Sequence, residues 1–241
     1  MNFSIIIEAR LNSTRLPKKI LMKIKKYSFL EYLVRRLKLV KKAKNIIIAT
    51  TDNESNQEII KIALRNKIKY FKGSEKNVLQ RVIKTAKKFK CQNIVRITSD
   101  CPIIDPKIVD LAIESFKNNK CDYLSNAIVR SFPDGMDVEV FKLSSLIKSY
   151  KFAKNARFKE WTTWSIRNNP KKFKIINLIA PDELNWPELG LTLDEYPDFI
   201  FLKKIIMHYK ESIKFNCTDI INLINKNKKW LNINKNVKRN L

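Results

Sequence analysis

Short apolar runs of strand length alternate with longer amphipathic stretches along the first half of the chain. The runs are rich in β-branched residues and do not alternate with polar ones, which is typical of strands buried on both faces of a sheet. The longer stretches repeat apolar residues every three or four positions, as helices with one core face do. Together these patterns predict an α/β fold with a mostly parallel sheet covered by helices on both sides.

The pattern also sets the approximate bounds of the elements. It predicts strands at 5–7, 45–51, 69–71, 93–98 and 122–125, and helices at 29–40, 54–65, 78–88 and 106–118. Ser74 is the predicted N-cap of the third helix, and Asp105 suits the same position in the fourth. After residue 126 the pattern loosens, with strands predicted at 138–141, 173–178 and 189–193 and helices at 144–152, 157–168 and 196–208.

Length and the absence of linkers favour one domain. The 241 residues contain no internal repeat and no Gly/Ser-rich linker. We therefore predict a single domain over 1–241, with an inserted subregion at about 126–190 for the acceptor or for dimerisation, and a basic tail at about 209–241. Four cysteines without a CxxC spacing, together with a single histidine, make a zinc site improbable and predict reduced thiols in a cytoplasmic protein.

Composition narrows the class of protein. With 44% hydrophobic and 30% charged residues, the chain has ordinary globular composition. No apolar run approaches the ~20 residues that cross a bilayer, so no membrane association is predicted. The net charge is +26, but 38 of the 49 basic residues are lysines scattered along the chain. Lys, Asn and Ile are abundant together, which indicates an AT-rich coding background and not a specific nucleic-acid site.

Polar side chains that follow predicted strands are the first candidates for chemistry, because ligands of open α/β sheets bind beyond the carboxyl ends of strands. The loop after the first strand carries three cations and two hydroxyls, namely Arg10, Arg15, Lys19, Ser13 and Thr14. One arginine guanidinium can bind two phosphate oxygens at once, and lysine supplies a compact positive charge, so this loop suits a polyphosphate. It lacks the Walker pattern, which excludes a P-loop ATPase.

Carboxylates follow three other predicted strands. Asp100 and Asp194 each follow a predicted strand. Although they are far apart in sequence, the two aspartates would bind one Mg²⁺ together. Asp134, Asp137 and Glu139 flank the turn at Gly135, and strand alternation places the last two acids on one face. The clusters together predict a site for phosphate and a metal ion.

In their order along the chain, these motifs are similar to those of a known family. The landmarks are Ala9-Arg10, Ser13-Thr14-Arg15-Leu16-Pro17, Lys19, Gly73-Ser74, Asn77-Val78-Leu79, Arg81, Arg96-Ile97-Thr98, Asp100-Cys101-Pro102, Pro133-Asp134-Gly135, Asp137-Val138-Glu139-Val140-Phe141, Leu193-Asp194, Tyr196-Pro197 and Asp198. The chain resembles the cytidylyltransferases of 3-deoxy-manno-octulosonate and acylneuraminate, and most closely their spore-coat polysaccharide branch. The resemblance runs from about residue 3 to 205.

The resemblance implies a three-layer α/β/α, Rossmann-like nucleotide-diphospho-sugar transferase fold with a mostly parallel mixed sheet. It implies that an acceptor oxygen attacks the α-phosphorus of CTP, that pyrophosphate leaves, and that Mg²⁺ is the cofactor. Arg15, Lys19 and Asp100 would be catalytic, and Asp100 with Asp194 would hold the metal. Residues that would bind the nucleotide are Ala9, Arg10, Ser13, Thr50, Thr51, Ser74 and Arg81, and those that would face the acceptor are Asp134, Asp137, Glu139 and Glu160. A homodimer is a further expectation.

Two departures from the family pattern affect these expectations. Where relatives carry glycine, this chain has Asn12 and Lys18. Asparagine tolerates a positive φ, so Asn12 keeps the turn, whereas at Lys18 either the backbone is not left-handed or the loop follows another path. Trp161 stands where relatives carry histidine after Glu160, which leaves the acceptor open: a 3-deoxy acid, a nonulosonate, a sugar phosphate or a polyol phosphate.

Two other classes of function compete with this interpretation. A GT-A-like glycosyltransferase that uses a nucleotide sugar would share the sheet but predicts an Asp-x-Asp motif where this chain has Asp100-Cys101-Pro102. A basic nucleic-acid-binding protein predicts clustered arginines and aromatics on one surface. The scattered lysines argue against it.

Overall fold

The computed structural model describes residues 2–153, 155 and 159–239. The strands in the described residues are β1 (Phe3–Glu8), β2 (Lys23–Ile24), β3 (Tyr27–Ser28), β4 (Asn45–Thr51), β5 (Lys69–Gly73), β6 (Asn93–Thr98), β7 (Tyr123–Ser125), β8 (Glu139–Lys142) and β9 (Ile175–Asn177). Seven of them form one sheet in the order β5-β4-β1-β6-β8-β7-β9, and β2 pairs with β3 separately. All pairs of the large sheet are parallel except those that β8 makes with β6 and β7. The predicted mostly parallel mixed sheet is confirmed.

Helices cover both faces of this sheet. They are α1 (Phe29–Leu37), α2 (Gln57–Arg65), α3 (Val78–Lys88), α4 (Pro106–Asn119), α5 (Leu143–Tyr150), α6 (Trp164–Arg167), α7 (Tyr196–His208) and α8 (Cys217–Lys226). Ile5 and Ile7 pack on the face with α1, α4, α7 and α8, while Ile6 packs on the face with α3 and α5. Because successive strand residues point to opposite faces, a strand without polar alternation is buried on both sides. Among the described residues no helix is long and apolar enough to span a membrane.

Several predicted elements match the structure at both ends. The strands at 45–51 and 93–98 and the helices at 78–88 and 196–208 have the predicted bounds. Asp105 caps α4 as predicted, since its side chain accepts a hydrogen bond from the N–H of Lys107 at 2.8 Å. The predicted cap at Ser74 is wrong: Asn77 caps α3, and the Ser74 hydroxyl accepts a hydrogen bond from the N–H of Asn77.

Two predicted elements after residue 126 are also wrong. The helix predicted over 157–168 is broken at 161–163, and α6 covers four residues; positions 156–158 lie outside the described residues. The hydroxyls of Thr162 and Thr163 donate to Glu8 and Glu139 instead of facing solvent on a helix. The strand predicted at 189–193 is a single bridge, because its backbone bonds to two different loops and not to a strand.

The region beyond residue 209, predicted as a basic tail, contains a helix. Asn216 and Asp219 form a reciprocal cap at the start of α8, and Ile220 and Ile224 bury its apolar side. An asparagine followed three residues later by an acid before an apolar run is a recognised start signal, and the sequence prediction missed it. Residues 126–190 contribute β8 and β9 to the same seven-stranded sheet.

Lysine occupies backbone positions that glycine usually fills. Lys18 has φ 55°, so the loop after β1 keeps its left-handed turn at this residue, whereas Asn12 is not among the residues with positive φ. Five other lysines also have positive φ, including Lys120 at the end of α4. Left-handed backbone places the Cβ of an L-residue close to the following carbonyl oxygen, so each such lysine lowers stability.

We expect Lys120→Gly to raise the free energy of unfolding by about 1 kcal/mol, because Lys120 is exposed and has φ 47°. Lys117→Gly is the matched control. It removes the same side chain from an exposed position within α4, where glycine costs about 1 kcal/mol. Urea unfolding of both variants checks the signs, and a destabilised Lys120→Gly would contradict the expectation.

Candidate active site

A continuous cleft opens at the carboxyl ends of β1 and β6. It consists of two adjoining cavities of about 320 Å³ and about 990 Å³. The residues that line both are Arg96, Thr98, Asp100, Glu160 and Trp161. The smaller cavity is bounded by the loop after β1, which we call the basic loop (residues 9–19), and the larger by residues 127–139 and 160–167. The cleft therefore joins the predicted phosphate loop to the region predicted to hold the acceptor.

Two cations and two carboxylates meet at the floor of the smaller cavity. The Lys19 Nζ lies 2.9 Å from Asp194 Oδ1 and 3.3 Å from Asp100 Oδ2. The Arg15 Nη2 lies 2.8 Å from the same Asp194 oxygen. Since one ammonium contacts both aspartates, the predicted metal-binding pair converges on a single point, within contact of the basic loop.

The pKa values of Lys19 and Asp100 are set by neighbouring opposite charges more than by burial. Burial would lower the pKa of Lys19, but the charges of Asp100 and Asp194 outweigh it, and the pKa is raised. Burial would raise the pKa of Asp100, but Lys19 and a hydrogen bond from Thr98 hold it below its usual range. Lys19 and Asp100 therefore stabilise each other in their charged forms.

Backbone contacts bring these distant residues together. The N–H of Leu193 donates to the carbonyl of Asp100 at 2.8 Å, which fixes Asp194 beside the end of β6. The left-handed turn at Lys18 precedes a short 3-10 helix at Lys19–Leu21, whose buried Ile20 anchors it in the core. Lys19 is therefore held from the core side, with its ammonium directed at both aspartates.

A half-buried arginine, Arg96, forms the wall between the two cavities. Arg96 donates from Nε and Nη2 to both carboxylate oxygens of Glu8, at 2.8 Å each, and from Nη1 to Glu139 at 2.7 Å. Burial would lower the pKa of Arg96, but the two glutamates raise it well above its usual value. These pairs connect β1, β6 and β8. The wall therefore carries one cation between two carboxylates, which holds the ends of these strands together.

The wall also holds the segment that breaks the predicted helix. Thr162 donates its hydroxyl to Glu8 at 2.6 Å, and Thr163 donates to Glu139 at 2.9 Å. Tyr123 donates to the same Glu139 oxygen at 2.7 Å. These bonds place Trp161 beside the cleft, where it lines both cavities and contacts Trp164 edge to face, with 4.7 Å between ring centroids.

The larger cavity has a carboxylate with an unusual pKa. Burial, reinforced by the nearby acids Asp134, Glu139 and Asp100, raises the pKa of Asp137 to about 6, although Arg130 pairs with it at 3.3 Å. A carboxylate with a pKa near neutrality suits proton transfer.

The same shift predicts a pH-dependent stability. Asp137 keeps its proton to about pH 6 in the folded chain but loses it near pH 4 when unfolded, so stability falls as pH rises through this window. We expect Asp137→Asn to abolish that fall and to be more stable than the wild type by about 2 kcal/mol at pH 7.5. Urea unfolding at pH 3.5 and 7.5 measures this, with the acidic condition as the internal control. A stability difference that is equal at both values would contradict it.

Most predicted site residues line the cleft, but some do not. The residues in the walls are Ala9, Arg10, Ser13, Arg15, Lys19, Arg81, Asp100, Asp137, Glu139, Glu160 and Asp194. Thr50 and Thr51 are fully buried at the end of β4 and do not line it, and the Thr51 hydroxyl is bound by Asn56. Ser74 also lies outside the walls, although its carbonyl accepts a hydrogen bond from Arg81 at 2.6 Å. Asp134 is buried and does not line the cleft, and its carboxylate pairs with Arg130 and Arg239.

The sequence analysis did not identify Arg130 and Arg167, the arginines of the larger cavity. It also did not identify Glu8 as the partner of Arg96 and Thr162. A signal for the arginines existed. Six of the eleven arginines line the cleft, namely Arg10, Arg15, Arg81, Arg96, Arg130 and Arg167. Among the described residues, Lys19 is the one lysine that does so, although the chain has 38. In this lysine-rich chain, the positions of the few arginines were therefore a better indicator of the site than the positions of the lysines.

The donor set around Lys19 fits a divalent ion. Mg²⁺ is usually held by one or two carboxylates together with substrate phosphates and water, and Asp100 and Asp194 supply two oxygens that converge on one cation. The described residues contain no cluster of three or more His, Cys, Asp or Glu side chains that could hold a metal ion. Cys101, beside Asp100, is buried, and burial raises the pKa of its thiol well above the usual value.

Comparison with known proteins agrees with this architecture. A cytidylyltransferase from Leptospira borgpetersenii serovar Hardjo-bovis superposes with a TM-score of 0.91 at 33% identity and covers 100% of both chains. The spore coat polysaccharide biosynthesis protein SpsF of Bacillus subtilis is 30% identical over 227 residues, 92% of this chain and 93% of its own. CMP:2-keto-3-deoxy-manno-octonic acid synthetase, solved in complex with CTP, shares the fold with a TM-score of 0.63 at 13% identity, covering 87% of this chain and 100% of its own. The family model described as cytidylyltransferase matches residues 4–227, and the chain therefore belongs to the cytidylyltransferase family.

Proposed function

We propose that this enzyme transfers CMP from CTP to a sugar-type acceptor with release of pyrophosphate, in a reaction that depends on Mg²⁺ and serves the synthesis of surface polysaccharide or glycoconjugate. The observation that carries the proposal is the convergence of Arg15 and Lys19 with Asp100 and Asp194. A cationic loop facing two carboxylates suits a triphosphate held together with a metal ion.

Each part of the smaller cavity has a role in this reaction. Arg10, Ser13, Arg15 and Lys19 bind the phosphates, joined by the backbone at Ala9 and by the nearby Arg81. Asp100 and Asp194 hold Mg²⁺, which when bound neutralises charge on the triphosphate. Phosphoryl transfer needs positioning and electrostatic stabilisation more than covalent chemistry, and the cluster supplies both.

The bond changes follow from this arrangement. An acceptor oxygen forms a bond to the α-phosphorus of CTP, and the bond from that phosphorus to the bridging oxygen breaks as pyrophosphate leaves. Arg15 and Lys19 neutralise the charge that develops on the leaving group. Asp137, on the acceptor side of the cleft, accepts the proton of the acceptor hydroxyl through its carboxylate.

The larger cavity favours an acceptor with an anionic group. It has two arginines in addition to Arg96, and Arg130 is already paired with Asp134 and Asp137. Arg167 donates to the carbonyl of Ala127, and its charge lowers the pKa of Glu139 without an ion pair among the described contacts, so its guanidinium can bind a carboxylate or phosphate of the acceptor. The adjacent pair Trp161 and Trp164 provides an apolar wall for a sugar face.

A pyrophosphate-release screen tests the proposal. The purified protein is incubated with each of four nucleoside triphosphates, with and without Mg²⁺, and with sugars that carry a carboxylate, a phosphate or no anionic group. We expect release with CTP and Mg²⁺ in the presence of an anionic acceptor, and much less with the matched neutral sugar. If no combination releases pyrophosphate at CTP concentrations that saturate the protein, the result counts against the proposed function.

A further inference from the structure

Arg239 fills a buried slot beside the cluster of Asp194 and Arg15. Its Nη1 donates to Thr192 Oγ1 at 2.7 Å and to Asp134 Oδ2 at 3.2 Å, and its Nη2 donates to Asp198 Oδ1 at 2.8 Å. Asp198 is fully buried and the Arg239 side chain is 8% exposed. One planar guanidinium thus bridges two carboxylates, a geometry that lysine does not reproduce.

The backbone makes room for this side chain at a glycine. A Cβ at Gly190 would overlap the guanidinium of Arg239. Asn234, in the same segment as Arg239, donates to the carbonyl of Gly190 at 3.1 Å and to Asp198 at 2.9 Å. Gly190, one of only three glycines in the chain, therefore lies where residues 234–239 pack against the rest of the protein.

The slot is connected to the cluster in two ways. The second oxygen of Asp198, Oδ2, accepts hydrogen bonds from the N–H groups of Asp194 at 3.1 Å and Glu195 at 2.9 Å. On the other side, the carbonyl of Lys238 accepts a hydrogen bond from Arg15 Nη1 at 3.1 Å. Arg239 therefore fixes Asp198, Asp198 fixes the backbone that carries Asp194, and the residue before Arg239 contacts Arg15.

We propose that Arg239 is a positioning residue, and that docking of residues 234–239 in the slot of Asp134, Thr192 and Asp198 aligns Asp194 and Arg15 for the Mg²⁺ complex of the nucleotide. The inference rests on the proposed function. The segment lies beyond residues 4–227, which match the family model. Outer partners that orient metal ligands typically affect metal affinity or activity by about 10–100-fold when they are replaced.

The test compares Arg239→Lys with Arg36→Lys. Arg36 is fully buried and donates to the carbonyls of Ile104, Ile213 and Phe215, none of which lines the cleft, so its replacement reports on stability alone. We expect Arg239→Lys to raise the Mg²⁺ concentration for half-maximal CTP binding by about 10-fold in calorimetry and to lower kcat, with the acceptor KM unchanged. Arg36→Lys should leave the Mg²⁺ dependence as in the wild type.

A second variant keeps Arg239 but blocks its slot. Gly190→Ala introduces the clashing Cβ, and we expect it to raise the Mg²⁺ concentration for half-maximal CTP binding, as Arg239→Lys does. If the wild type binds CTP with Mg²⁺ and Arg239→Lys binds it with unchanged Mg²⁺ dependence, the inference is overturned while the proposed function stands. If the wild type shows no Mg²⁺-dependent CTP binding, the proposed function fails and the inference with it.

Discussion

Asp100→Asn should lower kcat for CTP turnover by about 10³-fold while the protein stays folded. Asp100 contributes one of the two carboxylates that converge on Lys19, and a neutral amide oxygen is a weaker ligand for a hard cation. The substitution keeps the size of the side chain, so it tests charge and not packing. Pyrophosphate release at saturating CTP and Mg²⁺ measures the effect.

The control for Asp100→Asn is Asp182→Asn, the same substitution at an exposed position outside the cleft, which should keep the wild-type rate. Stability provides a second check with a definite sign. The pKa of Asp100 is lowered in the folded chain, so the ionised group stabilises the fold above about pH 4, and this contribution is lost as pH falls. The variant should therefore be less stable at pH 7 than the wild type, with the difference shrinking towards pH 3. A wild-type rate in Asp100→Asn would remove this residue from the metal role.

Lys19→Met should have opposite effects on metal binding and on turnover. The ammonium of Lys19 contacts both aspartates, so an arriving cation must displace it. Without it, we expect Mg²⁺ to bind tighter to the nucleotide-free protein. The triphosphate meanwhile loses a charge partner, and kcat should fall by about 10²-fold. Calorimetric titration with Mg²⁺ and pyrophosphate release measure the two effects separately.

Lys18→Met is the matched control for Lys19→Met, because Lys18 is the neighbouring lysine of the basic loop, is exposed, and does not line the cleft. Its replacement should leave both measurements unchanged. If Lys19→Met bound Mg²⁺ more weakly than the wild type, the idea that this ammonium occupies the place of the metal ion would have to be abandoned.

The elements of the sheet were largely predictable because they depend on local patterns. The strands β4 and β6 are rich in β-branched residues, and α3 has apolar periodicity with the capping residue Asn77 before it. Predictions failed where side chains bond across the fold. Thr162 and Thr163 break the predicted helix because Glu8 and Glu139, far away in sequence, bind their hydroxyls.

In the site, too, the features that depend on local sequence were predictable and those that depend on contacts across the fold were not. Strand-end positions identified the basic loop and the aspartates, since parallel strands end at one edge of the sheet. Sequence position alone did not separate Asp137, which lines the cleft, from Asp134, which is buried, does not line it and pairs with Arg239. The same uncertainty applied to Thr50 and Thr51, whose side chains end in the core.

By itself, the sequence determined the class of fold, the family, and the types of charged residue at the strand ends, because these depend on periodicity, composition and ordered motifs. Only the tertiary structure decided which charges meet. Lys19 contacts Asp100 and Asp194 across 81 and 175 positions of sequence, and Arg239 reaches Asp198 across 41. Electrostatic and hydrogen-bond energies depend on distances of a few ångströms in space, and those distances are set by packing of the whole core and not by spacing along the chain.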